Sequence, residues 1–151
     1  MSLIKILFAD NDKDDFMLFR DALNETKIHA EISSVYDGEH LIEVLKNSST
    51  LPDILFLDLN MPRKNGFECL IEIKLLKNCM QLPIIIFSTS YDQKMVEQLY
   101  KNGARYYVRK PAEFSDLKCT IQNAINLTIN GKLKQPTMAD FVIKGELKTI
   151  I

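Results

Sequence analysis

The sequence predicts an α/β fold, a doubly wound sheet of five parallel strands with helices on both faces. Two observations carry this. Five short strand-like runs, four of them apolar and one weaker, each lead into a longer stretch whose apolar residues recur at helical spacing, and strands that alternate with helices pair in parallel because each needs a crossover connection. Polar residues able to do chemistry stand directly after four of those five runs, and in an open α/β sheet the carboxyl ends of the strands are where ligands bind.

The elements follow in order. Ile4 to Ala9 is short, apolar and closed by Asp-Asn-Asp, which reads as a buried strand. Phe16, Phe19, Leu23 and, on the same flank, Arg20 keep helical spacing through Asp14 to Thr26, with Asp12 placed to cap the start and Asp15 three positions on. A weaker strand covers Glu31 to Val35, Asp37-Gly38 makes a turn, and Leu41, Val44 and Leu45 mark a short second helix. Asp53 to Leu57 is the third strand, leaving into a loop from Asp58 to Asn65. Phe67, Leu70, Ile71 and Leu75 then give a third helix with one apolar face.

Pro83 opens the fourth strand, Ile84 to Phe87, which ends at Ser88-Thr89-Ser90. Met95, Val96 and Leu99 line a fourth helix that stops near Asn102-Gly103, a C-cap signal. Tyr106 to Val108 is the fifth strand and runs into Arg109-Lys110-Pro111; Leu117, Ile121, Ala124 and Ile125 form the last helix face. The crossovers of such a sheet are right-handed almost without exception.

Composition bounds the function. The 151 residues are enough for one domain with a real core. Lys and Arg number 19 against 20 Asp and Glu, a balance without the basic footprint of a nucleic-acid or anionic-membrane partner. No apolar run reaches membrane-spanning length and the N-terminus lacks a signal-peptide pattern, so a cytoplasmic protein is expected. Cys69, Cys79 and Cys119 form no C-x-x-C pair and read as reduced, packed thiols; His29 and His40 have no partner at metal-ligand spacing. Residues 1–128 are expected to form the domain, and 129–151 an extension too short for a separate output domain. Its apolar residues, Phe141 to Ile143 and Ile150-Ile151, leave open a loose tail or a docked one.

The strand ends assemble a chemical set. Asp10, Asn11 and Asp12 follow the first strand, Asp58 the third, Ser88 the fourth and Lys110 the fifth. Crowded carboxylates repel unless a cation joins them, and oxygen ligands with water to spare suit Mg²⁺. A carboxylate beside Mg²⁺, with Lys and Ser to receive phosphoryl oxygens, is a nucleophile set for phosphoryl transfer.

These residues resemble the receiver domain of two-component response regulators, of the single-domain, chemotaxis-regulator-like type, from about Lys5 to Leu127. The run Asp58-Leu59-Asn60-Met61-Pro62-Arg63-Lys64-Asn65-Gly66 follows that family's D-x-x-M-P-x-x-x-G signature. The resemblance implies a flavodoxin-like (βα)5 sheet of order 2-1-3-4-5. It implies Asp58 as phosphoacceptor, with Mg²⁺ held by Asp10, Asn11, Asp58 and the backbone carbonyl of Asn60. Ser88 and Lys110 would receive the phosphoryl oxygens, Lys110-Pro111 would match a pair joined by a cis bond, and Ser88 with Tyr107 would form the switch. Ser90 falls where the family tunes the lifetime of the acyl phosphate.

The implied activity is self-catalysed phosphorylation and dephosphorylation, with no other enzyme chemistry. The phosphoryl donor would be a histidine kinase or phosphotransfer protein and the output a downstream protein, with a monomer or a phosphorylation-dependent dimer as the working state. The family usually carries two adjacent acidic residues where this chain has Asp10-Asn11. One charge is missing, so weaker Mg²⁺ binding is expected, with Asp12 either compensating or capping its helix. Two rival readings are a pseudo-receiver that is not phosphorylated and a haloacid-dehalogenase-type phosphatase using Asp10.

Overall fold

A computed structural model describes residues 3–131 and 134–143. Strand β1 (Ile4–Ala9) is followed by α1 (Lys13–Asn24), β2 (Ala30–Val35), α2 (Gly38–Asn47), β3 (Ile54–Leu57) and α3 (Gly66–Leu75). A 3₁₀ turn (Lys77–Cys79) leads to β4 (Ile84–Ser88), α4 (Gln93–Lys101), β5 (Tyr106–Arg109) and α5 (Phe114–Asn130). A one-turn helix α6 (Met138–Phe141) and a short strand β6 (Val142–Ile143) complete the described chain. All strand pairs are parallel, in the order β2-β1-β3-β4-β5-β6.

The predicted parallel order 2-1-3-4-5 is realised, and among the described residues a short sixth strand extends it. The sixth strand comes from the extension: Val142 pairs with Tyr107 and Ile143 with Val108. Two residues carry too little pattern to announce a strand; what makes them one is the open edge of β5 and the apolar side chains beside it. Phe141 is fully buried and stacks edge-on against Tyr100, centroids 5.1 Å apart. The segment before it is tied down by Gln135 Nε2, which donates to the carbonyls of Tyr100 and Ala104 at 2.7 Å each, and by Tyr100 OH, which donates to Pro136 O at 2.7 Å. Ile150-Ile151 lie outside the described residues.

The sheet separates two apolar layers, as strand alternation requires. One face packs Leu7, Leu55, Leu57, Ile84, Ile86 and Tyr107 against α2, α3 and α4. The other packs Ile6, Phe8, Phe56, Ile85, Phe87 and Tyr106 against α1 and α5. On this second face Phe19 of α1 meets Phe8, Phe56 and Phe87, with centroids 4.7, 4.8 and 5.6 Å away. The cluster clamps the central strands β1, β3 and β4 to α1 and so sets where the first turn of α1 lies.

Helix starts are specified locally. Asp12 caps α1 by accepting from the Asp14 and Asp15 amides at 2.8 and 3.3 Å, Asp37 caps α2 through the His40 amide, and Asp92 caps α4 through the Lys94 amide. Asn65 and Glu68 form a reciprocal capping box at α3. The C-terminal end of α4 reverses at Gly103, whose φ of 94° lies in the left-handed region that glycine enters freely. Cys69 and Cys79 are buried, Cys119 is partly buried, and all three are free thiols. Burial pushes the Cys69 thiol up to about 12, which makes it inert.

Candidate functional site

Sheet register brings the sequence-distant polar residues together. Ala9 pairs with Leu57, and the Asp58 amide donates to Ala9 O at 2.9 Å, so Asp10 and Asp58 stand side by side just past the ends of β1 and β3. Ser88 closes β4 opposite Arg109, and the Lys110 amide donates to Ser88 O at 2.8 Å. The Lys110 side chain then reaches back across the sheet end. Its Nζ lies 2.7 Å from Asp10 Oδ2, 2.7 Å from Asp15 Oδ2 and 3.8 Å from Asp58 Oδ1, and 5.5 Å from the centre of the Phe87 ring.

The pocket is buried. Asp10 is 1% and Asp58 5% exposed, and Ser88 is inaccessible. Burial raises the Asp58 carboxyl to about 6, against the pull of Lys110; Asp10 adds to the rise, and the Asn60 and Leu59 amides oppose it. Burial also raises Asp10, with Lys110 and the Asp12 amide holding it back. Burial alone would lower Lys110, but its hydrogen bonds to Asp10 and Asp15 leave it raised. Both carboxyls are raised chiefly by burial and the ammonium by its hydrogen bonds to carboxylates; three carboxylates face one ammonium, so the pocket is short of positive charge.

That shortage is the measure of whether a cation fits. The donors are oxygens only, and two of the carboxylates, Asp10 and Asp58, flank one point at the sheet end. One or two carboxylates with water completing the shell is the way Mg²⁺-sized cations are held. Among the described residues no three Asp, Glu, His or Cys side chains form a metal-holding group, so protein carbonyls and water would supply the other positions.

The other expected residues divide. Asn11 is exposed and brings no charge. Asp12 is exposed and its Oδ1 accepts from the Asp14 and Asp15 amides, so it caps α1. Asn60 is exposed in the loop after Asp58, with its amide facing that carboxylate. Ser88 Oγ is 3.0 Å from Ser90 Oγ, which ties the two hydroxyls together.

Tyr107 is 1% exposed and already turned inward, its OH donating to Ser90 O, and Tyr91 packs edge-on against it at 5.8 Å. A buried phenol with a partner costs little. The expected cis bond at Lys110-Pro111 is not found: no peptide bond among the described residues is cis, and trans is the lower-energy isomer for X–Pro by about 0.5–1 kcal/mol. Asp15 was missed by motif reasoning. Its signal was its place on the first turn of α1, and only the fold shows that this turn faces Lys110.

The loop Asp58 to Asn65 is shaped by close approach. A Cβ on Gly66 would lie 2.2 Å from Asp58 O, so only glycine lets the start of α3 sit against the loop that follows β3. The Gly66 amide donates to Leu59 O at 2.9 Å, and Arg63 takes a φ of 70° inside the loop.

A model of the response regulator receiver domain matches residues 6–122. The chain belongs to this family. Proteins similar to it include the response regulator Rcp1 of Synechocystis, 29% identical over an alignment of 122 residues, with 78% of this chain and 83% of Rcp1 covered. LytT of Bacillus anthracis is 30% identical over 149 residues, 97% of this chain but 53% of LytT. Among solved structures, the phosphorylated cyanobacterial phytochrome response regulator RcpA superposes with a TM-score of 0.79 at 26% identity, covering 90% of this chain and all of RcpA's (100%). Mn²⁺-bound Rcp1 gives 0.75 at 27% identity, covering 89% and 99%. The receiver is a signalling domain whose family function is phosphorylation on aspartate. No described helix is long and apolar enough to cross a membrane.

Proposed function

We propose that this receiver accepts a phosphoryl group on Asp58 from a phosphohistidine donor, a histidine kinase or phosphotransfer protein, in the cytoplasm, and signals to a downstream protein. The observation that carries this is the convergence of Asp10, Asp58 and Lys110 at one buried sheet end. An Asp58 oxygen attacks phosphorus in line, the phosphorus–nitrogen bond breaks, and the imidazole leaves with its electron pair and takes up a proton. Lys110 lies close enough to shift onto the phosphoryl oxygens and offset their charge. Ser88, beside the same strand ends, donates its hydroxyl to them.

Asp10, Asp58 and the Asn60 carbonyl, with Asn11 as a neutral neighbour, would hold Mg²⁺. When bound, the cation neutralises charge that develops on the transferring group. The reading of Mg²⁺ draws support from the oxygen-only donor set and from the similarity to Rcp1, which binds Mn²⁺. Output follows from coupling within β4 and β5. Ser88 is linked to Ser90, and Ser90 O accepts from Tyr107, so a shift of Ser88 toward a phosphoryl group pulls on the contact that seats Tyr107. Residues 1–128 act as the receiver, and residues 134–143 of the extension that follows dock against its β5 edge.

Intact mass after acetyl phosphate treatment with Mg²⁺ tests the site. Wild type should gain one phosphoryl group and Asp58→Ala none. A full adduct on Asp58→Ala removes the assignment, and a haloacid-dehalogenase reading would require the adduct to be lost in Asp10→Ala and kept in Asp58→Ala.

A further inference from the structure

Asp15 enters the pocket from the first turn of α1. Its Oδ2 accepts from Lys110 Nζ at 2.7 Å, as close as Asp10, while Asp58 stands at 3.8 Å, outside hydrogen-bond reach. Its side chain is 28% exposed and that of Lys110 10%, so both ends of the pair are largely shielded. An acidic residue in a first turn favours the helix dipole whatever it touches. Asp14 provides that equally and is exposed. What distinguishes Asp15 is its bond to the single ammonium of the site. Lysine has three donors and one charge; two of those donors are committed to Asp10 and Asp15.

We propose that Asp15 is a positioning residue: it anchors Lys110 on the α1 side of the pocket, keeps that ammonium off Asp58, and supplies the negative charge that Asn11 lacks, leaving the Asp58 carboxylate available to a divalent cation. This rests on the reading of Asp58 as a cation-assisted phosphoacceptor. Without Asp15 the ammonium falls back toward Asp58, the nearest remaining carboxylate besides Asp10. It then competes with the cation for the same oxygens while the pocket has one charge fewer to hold it. Motif comparison does not place Asp15 in the site, because the acid it replaces stands four positions earlier, at Asn11; the α1 backbone carries its carboxylate to Lys110 from the other side.

The test is calorimetric titration of Mg²⁺ into the full chain, wild type against Asp15→Asn, Asp15→Glu, Asp14→Asn and the double variant Asn11→Asp/Asp15→Asn. Asp15→Asn should weaken Mg²⁺ binding on the order of tenfold, the scale on which one nearby charge acts. Asp15→Glu and the double variant should recover most of it, and Asp14→Asn should match wild type. The ¹⁵N resonance of the Lys110 ammonium should move in Asp15→Asn and stay in place in Asp14→Asn. Undiminished Mg²⁺ binding by Asp15→Asn, equal weakening by Asp14→Asn, failure of the double variant to recover, or no Mg²⁺ binding by wild type each overturns the proposal. The phosphoacceptor reading stands or falls separately, on whether wild type takes up its phosphoryl group at Asp58.

Discussion

At the scale of single residues, the site is governed by three buried or half-buried carboxylates sharing one ammonium. Asp58 shows the consequence. Its carboxyl is raised to about 6 from 3.8, so the folded state binds a proton more tightly than the unfolded chain does. Stability from this group is present in full below the unfolded value and lost as pH rises through about 6. In metal-free protein, Asp58→Asn should therefore gain stability over wild type at pH 7–8, on the order of 2–3 kcal/mol, with the gain fading toward pH 4. Urea unfolding across that range measures it, and a constant difference would place the Asp58 titration elsewhere. Asp10 and Asp58 were legible as sheet-end acids. The division of labour between Asp12 and Asp15 was not, because one turn of helix decides which carboxylate caps and which turns inward.

Elements supply the positions. The approach of α3 to the end of β3 depends on one missing side chain, and Gly66→Ala would drive a Cβ to 2.2 Å from Asp58 O. The loop must then shift, so the variant should lose stability and accept phosphoryl far more slowly, by mass-resolved time courses with acetyl phosphate; a wild-type rate would show the loop to be indifferent to that approach. Strand β6 poses a different question. Phe141 is its anchor, buried against Tyr100, and Phe141→Ala should cost about 3–5 kcal/mol, read by denaturant midpoint. A cost near zero would mean that the extension adds nothing to the receiver's stability. Parallel pairing onto β5 also covers what would otherwise be an open sheet edge. Strands β1, β3 and β4 were legible as runs of four apolar residues and β5 as a run of three, whereas β2, with alternating polar residues, read more weakly; β6, with two, was not legible.

Across the whole molecule, the two aromatic and aliphatic layers hold the sheet so that its strand ends meet at one rim. A cation bound there favours the folded state alone, so Mg²⁺ at about 100 times its dissociation constant should stabilise by about 2.7 kcal/mol, roughly 5–10 °C in Tm for a domain of this size. Thermal scans with and without Mg²⁺ should show the rise in wild type and lose it in Asp10→Asn/Asp58→Asn. An equal rise in both would put the cation elsewhere.

The amino-acid order by itself determined the fold class, the order of the five strand–helix units, and which polar residues follow their strands, because those depend on local periodicity and on short signals such as Asp58 to Gly66. Tertiary structure decided the rest: that Lys110 rests on Asp10 and Asp15 with Asp58 further off, that Tyr107 lies inward, that Asp12 is a cap, and that the extension closes the sheet. Each of those depends on the distance between groups up to 100 positions apart in sequence, which only the packed sheet and its helices set.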